Sequence, residues 1–295
     1  MMCNNVAPAR AERSHRQKYE IVERLGAGGS GVVYKARDLE WNRWVALKLL
    51  APHLRGDPIA RACLANEARI GSTLEHPNLC TVYDLQTTAE GDLVVVMPYY
   101  EGTTLKRRLQ RGALPICEAM TLAAQIADGL AYLHERSIAH GDLKPSNVIV
   151  TRGEIRILDF GLARFLKTRR GCCRAATMPG TAAYMAPEQT RGRYADPRTD
   201  MWALGVMLFE MLTGRAPFSG PYAEAVAYAI RHQAPPPMSH FRIAIPASLE
   251  RVVQTLLEKN RNRRSGCAAA VSSELRTLTS GRTLTEVPPE FEVAA

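Results

Sequence analysis

Three glycines near the N-terminus have a spacing that suits phosphate binding. Gly26, Gly28 and Gly31 form the pattern Gly-x-Gly-x-x-Gly, and residues without side chains let backbone amides approach phosphate oxygens closely. The same pattern opens dinucleotide-binding folds, in which a helix follows the glycines directly. Here the β-like run from Val32 to Ala36 follows instead, so the glycines are predicted to form the turn of a β-hairpin.

A lysine in an apolar strand is the second candidate for chemistry. Lys48 ends the run Val45-Ala46-Leu47-Lys48, and single charges in strands usually face solvent. The order of glycine loop, strand and lysine favours instead an ammonium group directed into a cleft. Glu67 lies on the predicted helix that follows, where its carboxylate could pair with Lys48 and hold it against phosphates. Glu75 is the alternative partner, disfavoured because the helix must end before His76-Pro77.

The strongest pattern is a polar run in the middle of the chain. His140-Gly141-Asp142-Leu143-Lys144-Pro145-Ser146-Asn147 is followed twelve residues later by Asp159-Phe160-Gly161, and Ala186-Pro187-Glu188 lies further on. With the glycine loop and the strand of Lys48, these residues resemble the eukaryotic-type (Hanks-type) serine/threonine protein kinase family, in the style of its bacterial members. The resemblance covers about residues 19 to 275.

The resemblance implies transfer of the γ-phosphoryl group of ATP to serine or threonine hydroxyls of proteins, with autophosphorylation, in signal transduction. Catalysis is then mostly positioning and neutralisation of phosphate charge. Asp142 would accept or orient the hydroxyl proton, and Lys144 would contact the γ-phosphate. Asn147 and Asp159 would hold Mg²⁺, for which Mn²⁺ could substitute, because hard oxygen ligands suit these ions. The predicted catalytic residues are Asp142, Lys144, Lys48 and Glu67.

The resemblance also implies where ATP would bind. The adenine would meet backbone groups of a hinge that follows Met97, with apolar side chains packed on the ring. The predicted ATP-binding residues are Leu25, Gly26, Ala27, Gly28, Gly29, Ser30, Gly31, Val33, Ala46, Lys48, Met97, Pro98, Tyr99 and Tyr100.

The activation segment of the family would begin at Asp159. Its predicted functional residues are Thr177, Thr181 and Glu188. The two threonines are candidate phosphate acceptors, and Arg264 is expected to pair with Glu188. Asp200 resembles the buried aspartate that steadies the catalytic loop in this family.

Position 141 departs from the pattern of many kinases of this family. It is glycine, whereas those kinases carry an arginine that grips a phosphate on the activation segment. The departure predicts activity that depends less on phosphorylation there. An alanine at Thr177 should therefore leave activity largely intact, and a loss of roughly a hundredfold with the fold retained would contradict this.

Two alternatives share parts of this pattern. A pseudokinase that acts as a nucleotide-binding scaffold would have the same fold, but degenerate members commonly lose at least one of the catalytic residues, and all are present here. Small-molecule kinases of related fold share the aspartates but lack the segment from Gly180 to Glu188, which builds a peptide platform. Magnesium-dependent ATP turnover separates the first alternative from an active kinase.

These residues require two groups of elements to position them. The fold is predicted to be α+β and two-lobed, with an antiparallel β-sheet and one helix in the small lobe and a mostly α-helical large lobe. The predicted divisions are a flexible arm (1–16), a kinase domain (17–278) made of N-lobe (17–97), hinge (98–103) and C-lobe (104–278), and a C-terminal tail (279–295).

Composition agrees with a globular protein of this kind. The 295 residues are 46% apolar and 23% charged, and no apolar run approaches the roughly 18 residues that cross a bilayer. No signal peptide is recognisable, so a cytoplasmic location is predicted. The net charge of +9 comes from scattered residues, which disfavours nucleic acid as the main partner. Expected partners are protein substrates and, through self-association, a second copy. The seven scattered cysteines predict reduced thiols.

Overall fold

The structure, a computed structural model, describes residues 18–29, 31–159, 164–165, 182–241 and 245–283. The first unit is a sheet of five strands: β1 (Tyr19–Ala27), β2 (Gly31–Asp38), β3 (Arg43–Leu50), β4 (Asp84–Thr87) and β5 (Leu93–Pro98). Their order is β1-β2-β3-β5-β4, and each neighbouring pair is antiparallel. The antiparallel sheet predicted for the small lobe is therefore confirmed.

The sheet curls until its two edge strands meet. Gln86 Nε2 on β4 donates a hydrogen bond to the Tyr19 hydroxyl on β1 at 3.1 Å. The inner face of the curled sheet buries a separate apolar cluster made of Tyr19, Ala36, Val45, Leu47, Leu49, Val94 and Val96. Since side chains alternate between the faces of a strand, Ala46 and Lys48 of β3 point to the opposite face.

One helix, α1 (Pro58–Gly71), packs on that opposite face. It starts sharply because Pro58 occupies its first turn and the Asp57 carboxylate accepts a hydrogen bond from the Ile59 amide at 2.9 Å. Its buried residues recur every three or four positions and are Cys63, Leu64, Glu67, Ala68, Ile70 and Gly71. The helical period therefore puts Glu67 on the face that meets the sheet.

Cys63 of α1 is disulfide-bonded. The prediction of reduced thiols is wrong at this position, whereas Cys80, Cys117 and Cys267 are free. Whether a cysteine forms a disulfide cannot be read from the spacing of cysteines along the chain.

A short segment after α1 ties the two lobes together. Asn78 and Cys80 make backbone hydrogen bonds with Ile157, both at 2.8 Å, and Leu79 bridges to the same residue in parallel. Because this segment pairs with the large lobe, β4 begins only at Asp84.

The large lobe is mostly helical. Its helices are α2 (Leu105–Leu109), α3 (Ile116–Glu135), α4 (Pro197–Thr213), α5 (Ala223–His232), α6 (Ala247–Leu256) and α7 (Ala268–Thr283). Short strands complete it: β6 (Thr103–Thr104), β7 (Ile138–Ala139), β8 (Val148–Thr151), β9 (Glu154–Ile157) and β10 (Arg164–Phe165). They form one sheet in the order β6-β8-β9 and a pair of β7 with β10.

Helix α4 lies at the centre of this lobe. Nearly all of its side chains are buried, including Trp202, Leu204 and Phe209, as expected for a helix that is apolar all round. A capping box of Asp196 and Thr199 starts it, so its first turn, with Asp200, is rigidly placed.

Two sequence predictions concern the ends of the chain and the membrane. None of the helices within the described residues combines the length and the apolar content needed to cross a bilayer. The predicted arm (1–16) lies outside the described residues, and α7 continues to Thr283, past the predicted start of the tail at 279. The proposed domain boundaries stay a prediction.

Candidate active site

The polar run from His140 to Asn147 follows β7 and rests on the first turn of α4. Asp200 is 1% exposed, and its carboxylate accepts hydrogen bonds from the backbone amides of His140 at 2.9 Å and Gly141 at 2.8 Å. His134 Nε2 lies 2.9 Å from the same carboxylate. The predicted contact between Asp200 and this run is therefore present.

Asp142 stands in the middle of the run, with its backbone held on both sides. Its amide donates to His140 Nδ1 at 3.3 Å, and its carbonyl accepts from Asn147 Nδ2 at 2.9 Å. Its carboxylate meets Lys144 Nζ at 2.6 Å. Burial raises the pKa of Asp142 above its ordinary value of 3.8, although the ammonium group of Lys144 opposes that shift. The arrangement gives a carboxylate that is well oriented and a better proton acceptor than a solvated one.

Asn147 and Asp159 are joined through the backbone. The amide of Leu158 donates to the carbonyl of Asn147 at 2.7 Å, which fixes the start of the Asp159 segment beside the polar run. Asp159 itself has a φ of 64°, in the left-handed region that non-glycine residues adopt infrequently. Strained backbone of this kind is concentrated at functional sites.

Lys48, Glu67 and Asp159 form a charged cluster between the lobes. Lys48 Nζ lies 2.7 Å from each carboxylate oxygen of Glu67 and 2.8 Å from Asp159 Oδ1. Lys48 is 7% and Glu67 4% exposed. Burial alone would lower the pKa of Lys48, but the charges of Asp159 and Glu67 together outweigh it and raise the pKa above 10.5. The lysine is therefore fully charged at neutral pH.

The structure decides between the two glutamates that the sequence offered to Lys48. Glu75 is exposed and lies beyond the end of α1 at Gly71. Its backbone amide donates to the Tyr132 hydroxyl at 3.1 Å, which ties this position to the large lobe. Glu67 is thus the residue that pairs with Lys48.

A magnesium ion fits the donors at this cleft. The charged cluster has one cation and two carboxylates, so it carries a surplus negative charge that a bound cation would neutralise. Asp159 and Asn147 supply a carboxylate and an amide oxygen, which suit Mg²⁺ when phosphate oxygens and waters complete its shell. Within the described residues there is no group of three or more His, Cys, Asp or Glu side chains that could hold a metal by itself.

The glycine loop divides into two functions. A Cβ on Gly31 would lie 2.3 Å from the carbonyl oxygen of Leu49, so glycine is required there for β2 to pair with β3. A Cβ on Gly26 or Gly28 would meet nothing within 4 Å. Packing in the protein therefore does not require those two glycines, and the space beside them is open to a ligand. Ser30 lies outside the described residues.

The strand register brings the predicted adenine residues to one face of the sheet. Val33 is opposite Lys48, and Ala46 is opposite Met97. Ala46 and Met97 are buried and Val33 is partly buried, whereas Leu25 is 43% exposed at the edge. Together these side chains form an apolar surface next to the ammonium group of Lys48.

The hinge offers fewer backbone donors than its length suggests. Pro98 has no N–H group, and the amide of Tyr99 donates to the carbonyl of Trp44 at 3.5 Å. Of the hinge residues Pro98, Tyr99 and Tyr100, which were predicted to bind adenine, Tyr100 is the one whose amide remains as the candidate donor.

A second buried ion pair lies below the cleft, in the large lobe. Arg264 Nη1 and Nη2 donate to the two carboxylate oxygens of Glu188 at 2.8 and 3.2 Å. Burial would raise the pKa of Glu188, but the hydrogen bond and charge of Arg264 lower it below its ordinary value of 4.5. The expected pairing of these two residues is present. Thr177 and Thr181 lie outside the described residues, as do Phe160 and Gly161.

Comparison with known proteins decides the family. The protein kinase domain family matches residues 19–275, which is most of the chain and includes every residue of the cleft described above. The chain belongs to the protein kinase family. The predicted family and the two-lobed fold are thus confirmed.

Two curated kinases that resemble this chain are longer proteins, and the similarity covers only part of each. The chain is 35% identical over 278 residues to the serine/threonine-protein kinase PknB of Mycobacterium leprae, covering 92% of this chain and 44% of that protein. It is 33% identical over 272 residues to the serine/threonine-protein kinase PrkC of Bacillus subtilis, covering 91% of this chain and 42% of that protein. The chain therefore spans less than half the length of these relatives.

Sequence reasoning missed one contact of this kinase site. Gln189 directly follows Glu188, and its side-chain amide reaches the carbonyl of Gly141 at 2.8 Å. A glutamine beside a family motif gives no signal of which distant carbonyl it will bond, so nothing in the sequence pointed to this contact.

Proposed function

We propose that this kinase domain transfers the γ-phosphoryl group of ATP to serine and threonine hydroxyls of proteins, including its own. One observation carries the proposal. The buried pair Lys48–Glu67 meets Asp159 at 2.8 Å, in the cleft that also holds the oriented carboxylate of Asp142. A phosphate-binding cation, a metal ligand and a proton acceptor are the three parts that phosphoryl transfer requires.

Each residue has a physical task in the proposed reaction. The acceptor oxygen forms a bond to the γ-phosphorus while the bond from that phosphorus to the bridging oxygen breaks, and ADP leaves. Asp142 orients the hydroxyl and takes its proton, helped by a pKa that burial raises. Lys144, 2.6 Å from Asp142, carries positive charge to the place where the γ-phosphate oxygens would lie. Lys48 fixes the α- and β-phosphates, with its ammonium aimed by Glu67.

We propose Mg²⁺ as the metal, bound by Asn147 and Asp159, with Mn²⁺ as a substitute. Held by these two residues, the ion would supply positive charge that offsets the negative charge of the phosphates. Gly26 and Gly28 leave room for the phosphates, and Val33, Ala46 and the hinge hold the adenine.

We propose a cytoplasmic site of action, where ATP and protein acceptors are present. Self-association is the proposed route by which one copy phosphorylates another. Kinases of the family that prefer arginine before the target carry acidic residues at the positions aligned with Thr104 and Ser146. Neither residue is acidic in this chain. A strong preference for arginine before the target is therefore not proposed.

The test is transfer of labelled phosphate from ATP with Mg²⁺, alone and with a generic basic acceptor protein, followed by identification of the phosphorylated amino acid. Asp142→Asn keeps the shape of the side chain and removes the proton acceptor, and Asp84→Asn changes an exposed carboxylate on β4 as the matched control. Label on serine or threonine that is lost with Asp142→Asn and kept with Asp84→Asn supports the proposal. ATP binding without transfer under Mg²⁺ or Mn²⁺ would favour the pseudokinase alternative.

A further inference from the structure

The carboxamide of Gln189 is held at both ends. Its Oε1 accepts a hydrogen bond from the amide of Ala186 at 2.9 Å, and its Nε2 donates to the carbonyl of Gly141 at 2.8 Å. The Gln189 amide also donates to the carbonyl of Ala186 at 2.9 Å. An amide N–H needs an acceptor, so the oxygen of the carboxamide must face Ala186 and its NH₂ group must face Gly141.

The carbonyl that Gln189 reaches belongs to the peptide group directly before Asp142. The N–H of that same peptide group donates to His140 Nδ1 at 3.3 Å. The two hydrogen bonds act on opposite edges of one peptide plane, and together they fix its rotation. The orientation of this plane decides where the Cα atom and carboxylate of Asp142 lie.

Glycine at position 141 makes this restraint necessary. Its φ is 78°, and glycine moves between such values and others more freely than any other residue. Asp200 fixes the amide of Gly141 at 2.8 Å, but that bond acts on the preceding peptide group. The carbonyl side of Gly141 is therefore held by Gln189.

Gln189 also connects two parts of the site. The segment from Ala182 to Gln189 is anchored to the large lobe by the buried pair of Glu188 and Arg264, which adjoins Gln189 in the chain. A neutral amide thus links this anchored segment to the residue before the proton acceptor, with no charged group in the link.

We infer that Gln189 is a positioning residue. It holds the peptide plane before Asp142 and couples the anchored segment from Ala182 to Gln189 to the proton acceptor. The inference rests on the proposed kinase function. A misplacement of about 1 Å at a reacting group can cost about a hundredfold in rate, so loss of the link should lower kcat rather than the affinity for ATP.

The test compares Gln189→Glu and Gln189→Met with the wild type and with Gln254→Glu and Gln254→Met, which alter an exposed glutamine on α6. Both Gln189 variants should lose about tenfold to a hundredfold in kcat for an acceptor peptide. The KM for ATP should stay within about twofold, because the Lys48 cluster is untouched. The Gln254 variants should match the wild type.

The pH profile separates positioning from general damage. In the Gln189→Glu variant, the ionised carboxylate has no donor for the Gly141 carbonyl, whereas the protonated carboxyl group has one. Relative to the wild type, the activity of Gln189→Glu should therefore recover as the pH is lowered from about 7 toward the ordinary glutamate pKa of about 4.3. The activity of Gln189→Met relative to the wild type should not change over the same pH range. Equal kcat in the wild type and both variants would overturn the inference.

Two other outcomes are also decisive. Loss of nucleotide binding in both Gln189 variants, measured with a fluorescent ATP analogue, would show a general structural role and overturn the inference. A wild type that binds ATP but phosphorylates nothing would overturn the proposed function itself, and the positioning role with it. The two failures are thus distinguished by the wild-type measurement.

Discussion

Two buried ion pairs in this kinase domain have similar geometry and different surroundings. The first joins Lys48 to Glu67 in the small lobe, and the second joins Arg264 to Glu188 in the large lobe. Among the described residues, the hydrogen-bond partners of Lys48 Nζ are all carboxylate oxygens, of Glu67 and Asp159. Arg264 also donates to the backbone carbonyls of Arg198 at 2.6 Å and Glu258 at 3.2 Å.

The two pairs differ in their exposure and in their balance of charge. The first pair lies beside Asp159, whose side chain is 32% exposed, and the three groups leave one negative charge over. The second pair is balanced, and the Arg264 side chain has no solvent exposure. We therefore expect changes in the first pair to act mainly on catalysis and changes in the second to act mainly on stability.

The largest expected effect is the loss of activity on replacing Lys48. Lys48→Met keeps most of the length of the side chain but removes the ammonium that would hold the phosphates, so kcat for phosphoryl transfer should fall roughly a thousandfold. Steady-state kinetics with a peptide acceptor measures it, and Lys18→Met, on the exposed surface, is the matched control. A loss of less than about tenfold would show that Lys48 does not stabilise the transition state.

The next effect is on stability in the large lobe. Arg264→Met leaves the carboxylate of Glu188 buried without its cation and removes the donor from two carbonyls, so the free energy of unfolding should fall by about 3 kcal/mol or more. Urea unfolding followed by circular dichroism gives the value. Arg251→Met, at an exposed arginine on α6, should change it by less than about 0.5 kcal/mol. Equal effects of the two substitutions would contradict the structural role.

Double replacements sharpen the comparison. Lys48→Met combined with Glu67→Leu removes both buried charges of the pair and leaves the carboxylate of Asp159, which is 32% exposed, to water. The double variant should therefore recover most of the stability that Lys48→Met alone loses while staying inactive. Arg264→Met combined with Glu188→Leu should recover a smaller share of the stability that Arg264→Met alone loses. The reason is that the carbonyls of Arg198 and Glu258 still lack their donor. The same urea unfolding measurement applies. Equal recovery in both lobes would remove the distinction drawn between the pairs.

The smallest effect is a dependence of stability on pH. The pKa of Glu188 is lower in the folded chain than its ordinary value of 4.5. The contribution of ionised Glu188 to the free energy of unfolding is therefore fully present above pH 4.5. It is lost as the pH falls through the lower pKa of the folded chain. The gap in unfolding free energy between the wild type and Glu188→Gln should narrow by on the order of 1 kcal/mol below about pH 4.5. Glu224→Gln, at an exposed residue of α5, corrects for the loss of one charge, and a constant gap would count against the prediction.

Much of this kinase domain was predictable because its information is local. Strand alternation and the glycine turn predicted the hairpin of β1 and β2, and helical periodicity predicted one helix on the sheet and a mostly helical large lobe. The family motifs indicated Lys48, Asp142 and Asp159, and the structure brings these residues to one cleft.

Several features depended on contacts between distant parts of the chain. The disulfide at Cys63, the link between Tyr19 and Gln86 and the contact of Lys48 with Asp159 could not be read from spacing. The bond from Gln189 to Gly141 spans 48 positions.

The sequence by itself determined which residues are the candidates for the chemistry and which elements hold them, because residue type, periodicity and capping act over a few positions. The tertiary structure alone decided that Asp159 joins Glu67 at Lys48 and which carbonyl Gln189 holds. Those choices depend on how two packed surfaces meet, and a hydrogen bond tolerates only a few tenths of an ångström in the distance between its atoms.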